Sequence, residues 1–343
     1  MKLSLRRKKI ITTVIIVLLV LAIPISGAFV FINTYLNKIN YDNNTTLKAD
    51  PSFTENVSSP ELSEADDNIK KNISDNRFWY NENVINILLI GCDYGEYNKH
   101  YGRSDAMIIA SINKRDHKIS YVSLSRATYV SIPGYGNARL NAAYAYGGPK
   151  LLVKTIELNY KTRIDNYIAV DFNGFKDIID IMGGISIELT NDEVKYHKAL
   201  LNSKGLDTSK GAGTYKLDGE LALAYARTRA IDTDRDRTQR QRNIMTQLTY
   251  KARNLGVSKG LDVLNSILPL VTTDFTKYEL VSQASNAVKY VSWSIDEAII
   301  PRNTPGLKTI NGYEVIVLNW DKVRTDIHEQ LYPNMEPVEK LPE

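Results

Sequence analysis

Short apolar runs alternate with helical stripes from Val84 onward, and this alternation restricts the fold more than any other feature of the sequence. The run 84–91, VINILLIG, ends in glycine and is typical of a buried strand. In the segment 171–184, DFNGFKDIIDIMGG, apolar residues recur at helical spacing until two glycines end the helix. Strands that alternate with helices predict an α/β/α sandwich, with a central mixed sheet flanked by helices.

The same reasoning places the other elements of this domain. The segment 105–125 predicts two strands joined by a charged turn at 113–117, and 139–160 predicts a helix. NYIAVD (166–171) and ISIEL (185–189) predict strands, and Asp218 is a candidate N-cap for a helix that ends near Tyr225. Further expected elements are a helix from Arg235 to Leu255 that stops at Gly256, two helices within 258–291, and a late strand at 313–319.

The N-terminal part of the chain differs in texture from this domain. A basic flank, 1–9, precedes the uncharged apolar segment 10–32, which is long enough to cross a bilayer core of about 30 Å. We therefore expect one transmembrane helix in the cell membrane, with 1–9 cytoplasmic and all later residues outside. A cleaved signal peptide is the alternative, since small residues stand at Ser26–Ala28. Residues 33–83 are expected to form an extracellular spacer with a short helix near 62–71. Residues 84–325 are expected to form the folded domain, and 326–343 a C-terminal tail.

Charge and cysteine content exclude some classes of protein. The net charge of +4 includes the basic flank, so it gives no argument for nucleic acid as a partner. Cys92 is the single cysteine, so the chain cannot form an internal disulfide. For an exported chain, this favours the outer face of a bacterial membrane without a disulfide-forming compartment.

The segment Tyr225–Ile244, YARTRAIDTDRDRTQRQRNI, carries six arginines, three aspartates and no lysine. Guanidinium groups bind phosphate or carboxylate oxygens in a planar, multidentate way, and arginine without lysine favours that use. The core-facing stripe of the second helix becomes polar at its N-terminal end, where Arg237, Arg240 and Gln241 fall, so this end should face an anion or a carboxylate network. The other interpretation is a surface lattice of ion pairs between the arginines and the aspartates.

Two carboxylates upstream predict a metal site. Asp93 follows the first strand, and Asp105 lies at the start of the next strand. Such a pair suits Mg²⁺, which binds one or two carboxylates together with phosphate oxygens and water, although an aspartate after a strand is often only a turn residue. Arg103 and Arg126 bring cations to the same edge, and arginine with Mg²⁺ around one anion fits phosphoryl transfer. No Walker loop, GxSxG, HExxH or CxxC motif occurs.

The ordered segments NILLIGCD, GRSDAMIIASI, SLSRATYVSIPG, LNAAYAYGG, FNGFKDIIDIMGGI and LDGELALAYARTR through DRTQRQ resemble the LytR-CpsA-Psr family over about Val84–Leu255. The resemblance implies a membrane-anchored enzyme of the outer face, mainly Gram-positive. Such an enzyme transfers a glycopolymer, of the wall teichoic acid or capsular polysaccharide type, from a polyprenyl-pyrophosphate carrier to peptidoglycan.

The resemblance also implies roles for individual residues. Asp93 and Asp105 would serve Mg²⁺. Arginines would hold the pyrophosphate, and Asp234 and Gln241 would orient this lattice, with Arg240 contributing beside them. The implied pyrophosphate ligands are Arg103, Arg126, Arg227, Arg229 and Arg237. The residues predicted to act in catalysis are Arg126, Arg227, Arg229 and Asp234.

Three positions depart from the family pattern. Ala127 stands where the family has an acid, which could loosen the orientation of Arg126 or a neighbouring arginine. Asp236 stands where glycine is common and Arg242 where a second glutamine is common, and both are expected to be tolerated on an exposed helix start.

Two other functions stay open at this point. In the transferase, the muramic acid 6-hydroxyl of peptidoglycan would attack the phosphorus that carries the polymer. One alternative is a lipid-pyrophosphate hydrolase, in which water replaces this hydroxyl as the attacking group. The other is a membrane-tethered protein that binds a polyanion without reacting with it, although such a protein would gain nothing from carboxylates inside its site. In the transferase, Asp93 or Asp234 is the expected general base.

Overall fold

The computed structural model describes residues 40–41, 57, 59–93, 100–290, 292–303, 306–336 and 338. The predicted transmembrane segment 10–32 and the basic flank 1–9 lie outside this range. Within it, no helix has both the length and the apolar character needed to span a bilayer.

Thirteen strands and ten α-helices make up the described part of the chain. The strands are β1 (Asn40–Tyr41), β2 (Val84–Cys92), β3 (Ser104–Asn113), β4 (Lys118–Leu124), β5 (Tyr129–Ile132), β6 (Gly136–Arg139), β7 (Asn166–Asp171), β8 (Ile185–Leu189), β9 (Gly213–Leu217), β10 (Thr272–Thr273), β11 (Ser294–Ile300), β12 (Lys308–Ile310) and β13 (Tyr313–Val315). The helices are α1 (Ser63–Ser74), α2 (Ala142–Tyr160), α3 (Phe172–Ile181), α4 (Asn191–Tyr196), α5 (Lys198–Ser203), α6 (Gly219–Arg227), α7 (Asp234–Arg253), α8 (Gly256–Ile267), α9 (Lys277–Tyr290) and α10 (Trp320–Leu331).

A seven-stranded sheet in the order β1-β10-β7-β2-β3-β4-β11 forms the centre. β2, β3 and β4 pair antiparallel, whereas β7 pairs parallel with β2 and β11 pairs parallel with β4. The predicted mixed sheet is therefore confirmed, and so are the strands at 84–91, 166–171 and the pair within 105–125. β11 was not predicted.

Helices cover both faces of this sheet. Side chains of a strand alternate between the two faces, so each strand contributes to a core on either side. Met107 and Ile109 of β3 join the main core, to which α1, α2 and α10 also contribute. Ile108 and Ala110 face the other side, where Met245 of α7 packs. The helices thus flank the sheet as expected.

A smaller core lies beside the sheet and carries the arginine segment. β8 pairs with β9 in a separate two-stranded ribbon, so the predicted strand at 185–189 is real but does not belong to the central sheet. Ile187, Leu217, Leu221 and Ile244 are buried together in this core. It fixes the end of α6 and the start of α7 relative to each other.

The predicted limits of the folded domain need two corrections. α1 lies inside the predicted spacer, and Leu62 and Ile69 are buried in the main core. α10 crosses the predicted start of the tail at 326, with Ile327 and Leu331 buried. The tail is therefore part of the domain at least through this helix.

Two element predictions need smaller changes. The arginine-bearing helix ends at Arg253, and Gly256 begins α8 instead of ending the preceding helix. The late strand is short, Tyr313–Val315, and pairs with Lys308–Ile310 in a hairpin.

Candidate anion-binding site

Antiparallel pairing brings the two predicted metal ligands and Arg126 to one edge of the sheet. β2 ends where β3 begins, with Cys92 opposite Ser104. β4 runs against β3, so its end lies beside the start of β3. Asp93, Asp105 and Arg126 therefore meet although three different strands carry them.

Two carboxylates and three arginines form the centre of the site. Asp105 Oδ1 lies 3.0 Å from Arg126 Nη1, 3.5 Å from Arg229 Nη2 and 3.9 Å from Arg237 Nη1. Asp234 Oδ1 lies 2.9 Å from Arg237 Nη2 and 3.5 Å from Arg126 Nε. Three guanidinium groups against these two carboxylates leave one positive charge. The ion pairs that the alternative interpretation predicted are therefore present, and binding of an anion to this surplus stays a prediction.

Some hydrogen-bonding capacity in this cluster is unused. Arg237 is 2% exposed, and burial lowers its pKa to about 10, so it stays protonated at neutral pH. The Nε of Arg237 has no hydrogen-bond partner. The contact between Arg237 Nη2 and Asp234 Oδ1 is close but does not have hydrogen-bond geometry. A buried donor without an acceptor is costly. A phosphate oxygen is the kind of acceptor that would satisfy it.

Arg227 lies beside this cluster, and both its side chain and that of Arg229 are exposed. Arg227 ends α6, and its guanidinium lies over the ring of Phe172, 4.5 Å from the ring centre. Burial lowers the pKa of Arg229, and the charge of Arg126 lowers it further. Cations held this close to one another favour a site that receives an anion.

The positive end of the α7 dipole supports the same use. Thr233 caps α7, and its side chain and that of Asp236 form a capping box. Asp236 is exposed and fits this place, as expected for the departure from glycine. The helix therefore begins next to Asp234 and Arg237, where its free N–H groups attract negative charge.

Asp93 is half-buried, whereas a simple turn residue would be exposed. Its Oδ1 accepts the amide N–H of Arg103 at 2.5 Å. Burial raises the pKa of Asp93; this hydrogen bond opposes the shift, and the charge of Asp105 adds to it. Gly102 packs so closely that a Cβ there would lie 1.5 Å from the Asp93 carbonyl oxygen. Sequence reasoning missed Gly102, although it directly precedes Arg103 in the quoted motif.

The donor set at this edge fits a hard cation. Burial and the nearby charge of Asp105 raise the pKa of Asp93, and neighbouring carboxylate oxygens are what Mg²⁺ binds. Within the part of the chain that the structure describes, no group of three or more His, Cys, Asp and Glu side chains could hold a metal by itself. A Mg²⁺ here would need ligand oxygens from the bound anion and water.

The prediction that Arg240 binds the anion is wrong. Arg240 is 4% exposed. Its Nε donates to Glu193 Oε1 at 2.6 Å, Nη1 donates to the Thr228 carbonyl oxygen at 3.2 Å, and Nη2 pairs with Asp232. These contacts use its guanidinium inside the protein, so it has no free fork for a ligand.

Three other predicted positions behave differently from one another. Gln241 is half-buried, and its Nε2 lies 3.4 Å from the Ala226 carbonyl oxygen at the end of α6. Arg242 is 3% exposed and donates to Ser123 Oγ at 2.7 Å, so the expectation of an exposed position is wrong. Ala127 packs against the main apolar core, and its carbonyl oxygen accepts the Ile316 amide.

A compact cluster of arginines and carboxylates at the edge of a mixed sheet has the composition of an anion-binding site. The model of the LytR_cpsA_psr family matches residues 46–329. The chain therefore belongs to the LytR_cpsA_psr family.

Relatives with described activities are similar to large parts of this chain. The polyisoprenyl-teichoic acid–peptidoglycan teichoic acid transferase TagU of Enterococcus faecalis is 34% identical over 201 residues, which cover 57% of this chain and 63% of the relative. TagU of Oceanobacillus iheyensis is 30% identical over 279 residues, 79% of this chain and 78% of the relative. The chain thus matches less than two thirds of the E. faecalis relative's length.

Solved structures share the fold. The structure of TagT bound to LIIa-WTA has a TM-score of 0.59 at 24% identity, covering 74% of this chain and 93% of that one. TagT with bound octaprenyl pyrophosphate lipid has a TM-score of 0.56 at 24% identity, with the same coverage. Bacillus subtilis TagV has a TM-score of 0.57 at 25% identity, covering 74% of this chain and 98% of that one.

Proposed function

We propose that this protein transfers a glycopolymer, of the wall teichoic acid or capsular polysaccharide type, from a polyprenyl-pyrophosphate carrier to peptidoglycan. The observation that carries the proposal is the cluster of Arg126, Arg229 and Arg237 around Asp105 and Asp234, with a surplus of positive charge and an unsatisfied buried donor. Family membership and the transferase names of the relatives support the reaction type. The TagT structure with octaprenyl pyrophosphate supports the choice of anion.

In this proposal, the muramic acid 6-hydroxyl oxygen attacks the phosphorus that carries the first sugar of the polymer. A new P–O bond forms, the bond to the bridging oxygen breaks, and polyprenyl phosphate leaves with that oxygen. Arg126, Arg227, Arg229 and Arg237 hold the non-bridging oxygens and stabilise the charge that develops on them. Gln241 braces the end of α6, and Arg103 adds a cation beside Asp93.

The hydroxyl proton passes to a carboxylate of the site, Asp93 or Asp234. When bound at Asp93 and Asp105, Mg²⁺ would supply neutralising charge to the pyrophosphate.

We also propose that segment 10–32 anchors the chain in the cell membrane, with 1–9 cytoplasmic and the catalytic domain outside. The charge asymmetry around the apolar segment supports this orientation. Protease added to intact cells should then digest the domain, whereas protection of the domain until the membrane is opened would refute the orientation.

In the decisive assay, the full chain in detergent is incubated with a radiolabelled polyprenyl-pyrophosphate glycan, peptidoglycan and Mg²⁺, and the label on peptidoglycan is measured. Arg227→Ala, Arg229→Ala and Asp105→Ala are each expected to lower transfer by about 100-fold or more, because each removes a group that stabilises transition-state charge. Arg235→Ala is the matched control, since Arg235 belongs to the same segment but donates to the Arg302 carbonyl oxygen at 2.9 Å. Its transfer rate should stay close to that of the wild type.

Each outcome has a distinct meaning. Label on peptidoglycan that is lost in the three variants supports the transferase and its site. Label released in soluble form without an acceptor would identify a hydrolase, and tight binding without any product would identify a polyanion-binding tether. Full transfer by Arg227→Ala or Arg229→Ala would refute the assigned site.

A further inference from the structure

The backbone between two exposed arginines is fixed by buried groups. Thr228 stands between Arg227 and Arg229 and is 3% exposed. Its hydroxyl donates to the Ala224 carbonyl oxygen at 3.0 Å, so at 2.8 Å it must accept from His197 Nε2. Its carbonyl oxygen accepts from Arg240 Nη1 at 3.2 Å. The residue between the two arginines is thus bound through both its side chain and its backbone.

Arg240 connects this residue to two other elements. Its Nε donates to Glu193 Oε1, and its Nη2 pairs with Asp232, in the loop between α6 and α7. Glu193 is itself fixed, because its Oε2 accepts the Thr190 amide at 2.9 Å in the capping box of α4. One guanidinium therefore joins α7, α4, the loop and the backbone of Thr228.

The burial of this ionic group requires an explanation other than stability. Glu193 is 6% exposed and Arg240 is 4% exposed. A buried ion pair often contributes no more stability than apolar residues of the same volume. Its planar fork, however, holds three partners in one fixed geometry, which lysine cannot do.

We propose that Arg240, held by Glu193 and Asp232, is a positioning residue that fixes Thr228 so that Arg227 and Arg229 are presented to the pyrophosphate. This inference rests on the proposed transferase function. It replaces the predicted role of Arg240 as a ligand: the residue acts on the anion only through the two arginines that it holds in place. Misplacement of such groups by about 1 Å is enough to cost about 100-fold in rate.

Arg240→Lys and Arg242→Lys form a matched pair that tests this role. Both arginines lie on α7, and they are 4% and 3% exposed. The polar partners of Arg242 are Ser123, Thr238, Gln239 and Glu297, all of which lie outside the segment 227–229. Both variants keep the charge and remove the fork, so a general loss of packing should affect them alike.

The kinetic expectation separates positioning from folding. Arg240→Lys should lower kcat for transfer by about 100-fold while the donor KM changes less than about threefold, because Arg126 and Arg237 still bind the ground state. Arg242→Lys should keep kcat within about threefold of the wild type at the same folded fraction. Equal kcat in the two variants would overturn the proposal.

Amide hydrogen exchange gives a readout that does not depend on the reaction. Peptides covering 226–233 should exchange faster in Arg240→Lys than in the wild type and unchanged in Arg242→Lys. Unchanged exchange in Arg240→Lys would refute the bracing contact itself. If the bracing is present but Arg227→Ala and Arg229→Ala transfer normally, the assigned site fails instead. If the wild type transfers no label at all, the proposed function fails, so the three failures are distinguishable.

Discussion

Replacing Gly102 by alanine should abolish the proposed transfer through a single added methyl group. The Cβ would lie 1.5 Å from the Asp93 carbonyl oxygen and 2.4 Å from its Oδ1. Contacts under 3.0 Å are essentially never seen for Cβ atoms, so the two segments must separate by about 1.5 Å. That displacement includes Asp93 and the 2.5 Å hydrogen bond from the Arg103 amide. Functional geometry tolerates about 0.5 Å, so we expect transfer to fall by about 100-fold or more.

The fold should survive this change. Pairing of β2 with β3 continues at Gly91 and Ala106, so the damage is confined to the sheet edge, at about 1–3 kcal/mol of unfolding free energy. Gly213→Ala is the matched control, because a Cβ at Gly213 meets nothing within 4 Å. Transfer to peptidoglycan and thermal unfolding of the full chain would be measured for both variants. A Gly102→Ala protein that transfers within about threefold of the wild type would refute the tight packing at Asp93.

Three further predictions follow from burial. The raised pKa of Asp93 means that the folded protein holds this proton more tightly, so stability falls as pH rises through the window that starts at the ordinary value of 3.8. At pH 7 without divalent cations, Asp93→Asn should therefore unfold at a higher denaturant concentration than the wild type, and this difference should disappear below the pH window. Transfer should be abolished. A lower stability of Asp93→Asn at pH 7 would contradict this. Burial lowers the pKa of His197, and the charge of Arg240 lowers it further. The stability that the neutral, buried imidazole contributes is therefore complete above pH 6.5, the ordinary pKa of histidine, and is lost as the pH falls below that value. The melting temperature of His197→Gln should accordingly change less between pH 7.5 and 5.5 than that of the wild type, and an equal change would refute the assignment. A chain that begins at Asp75 lacks the buried Leu62 and Ile69, each worth about 1.5–3 kcal/mol, and should show no cooperative urea transition, whereas a chain that begins at Asn40 should show one.

The sheet and the membership of the site were predictable because they depend on local patterns. Alternating and continuous apolar runs placed β2, β3, β4 and β7, and antiparallel neighbours necessarily bring Asp93 and Asp105 together. The unmixed arginine content of 225–244 predicted an anion site, and the structure brings Arg229 and Arg237 to Asp105.

The errors concern features that depend on distant partners. Whether Arg240 faces a ligand or the interior is decided by Glu193 and Asp232, and no local pattern in α7 reveals that choice. Arg242 is buried because Ser123 of β4 lies beneath it. Leu62 and Ile69 stand in a polar segment, so their place in the main core could not be read from the composition around them.

The origin of the site residues also has a consequence for how the chain acquires activity. Asp93, Asp105 and Arg126 come from the edge of the central sheet, whereas Arg229, Asp234 and Arg237 come from the junction of α6 and α7. The ribbon of β8 and β9 lies between these two groups in the sequence. Contacts between residues far apart in sequence form late, because the loop between them must be closed first. We expect the arginine cluster to assemble in one of the last steps of folding, so a chain whose segment 219–253 is not yet packed against the sheet edge would carry no complete site.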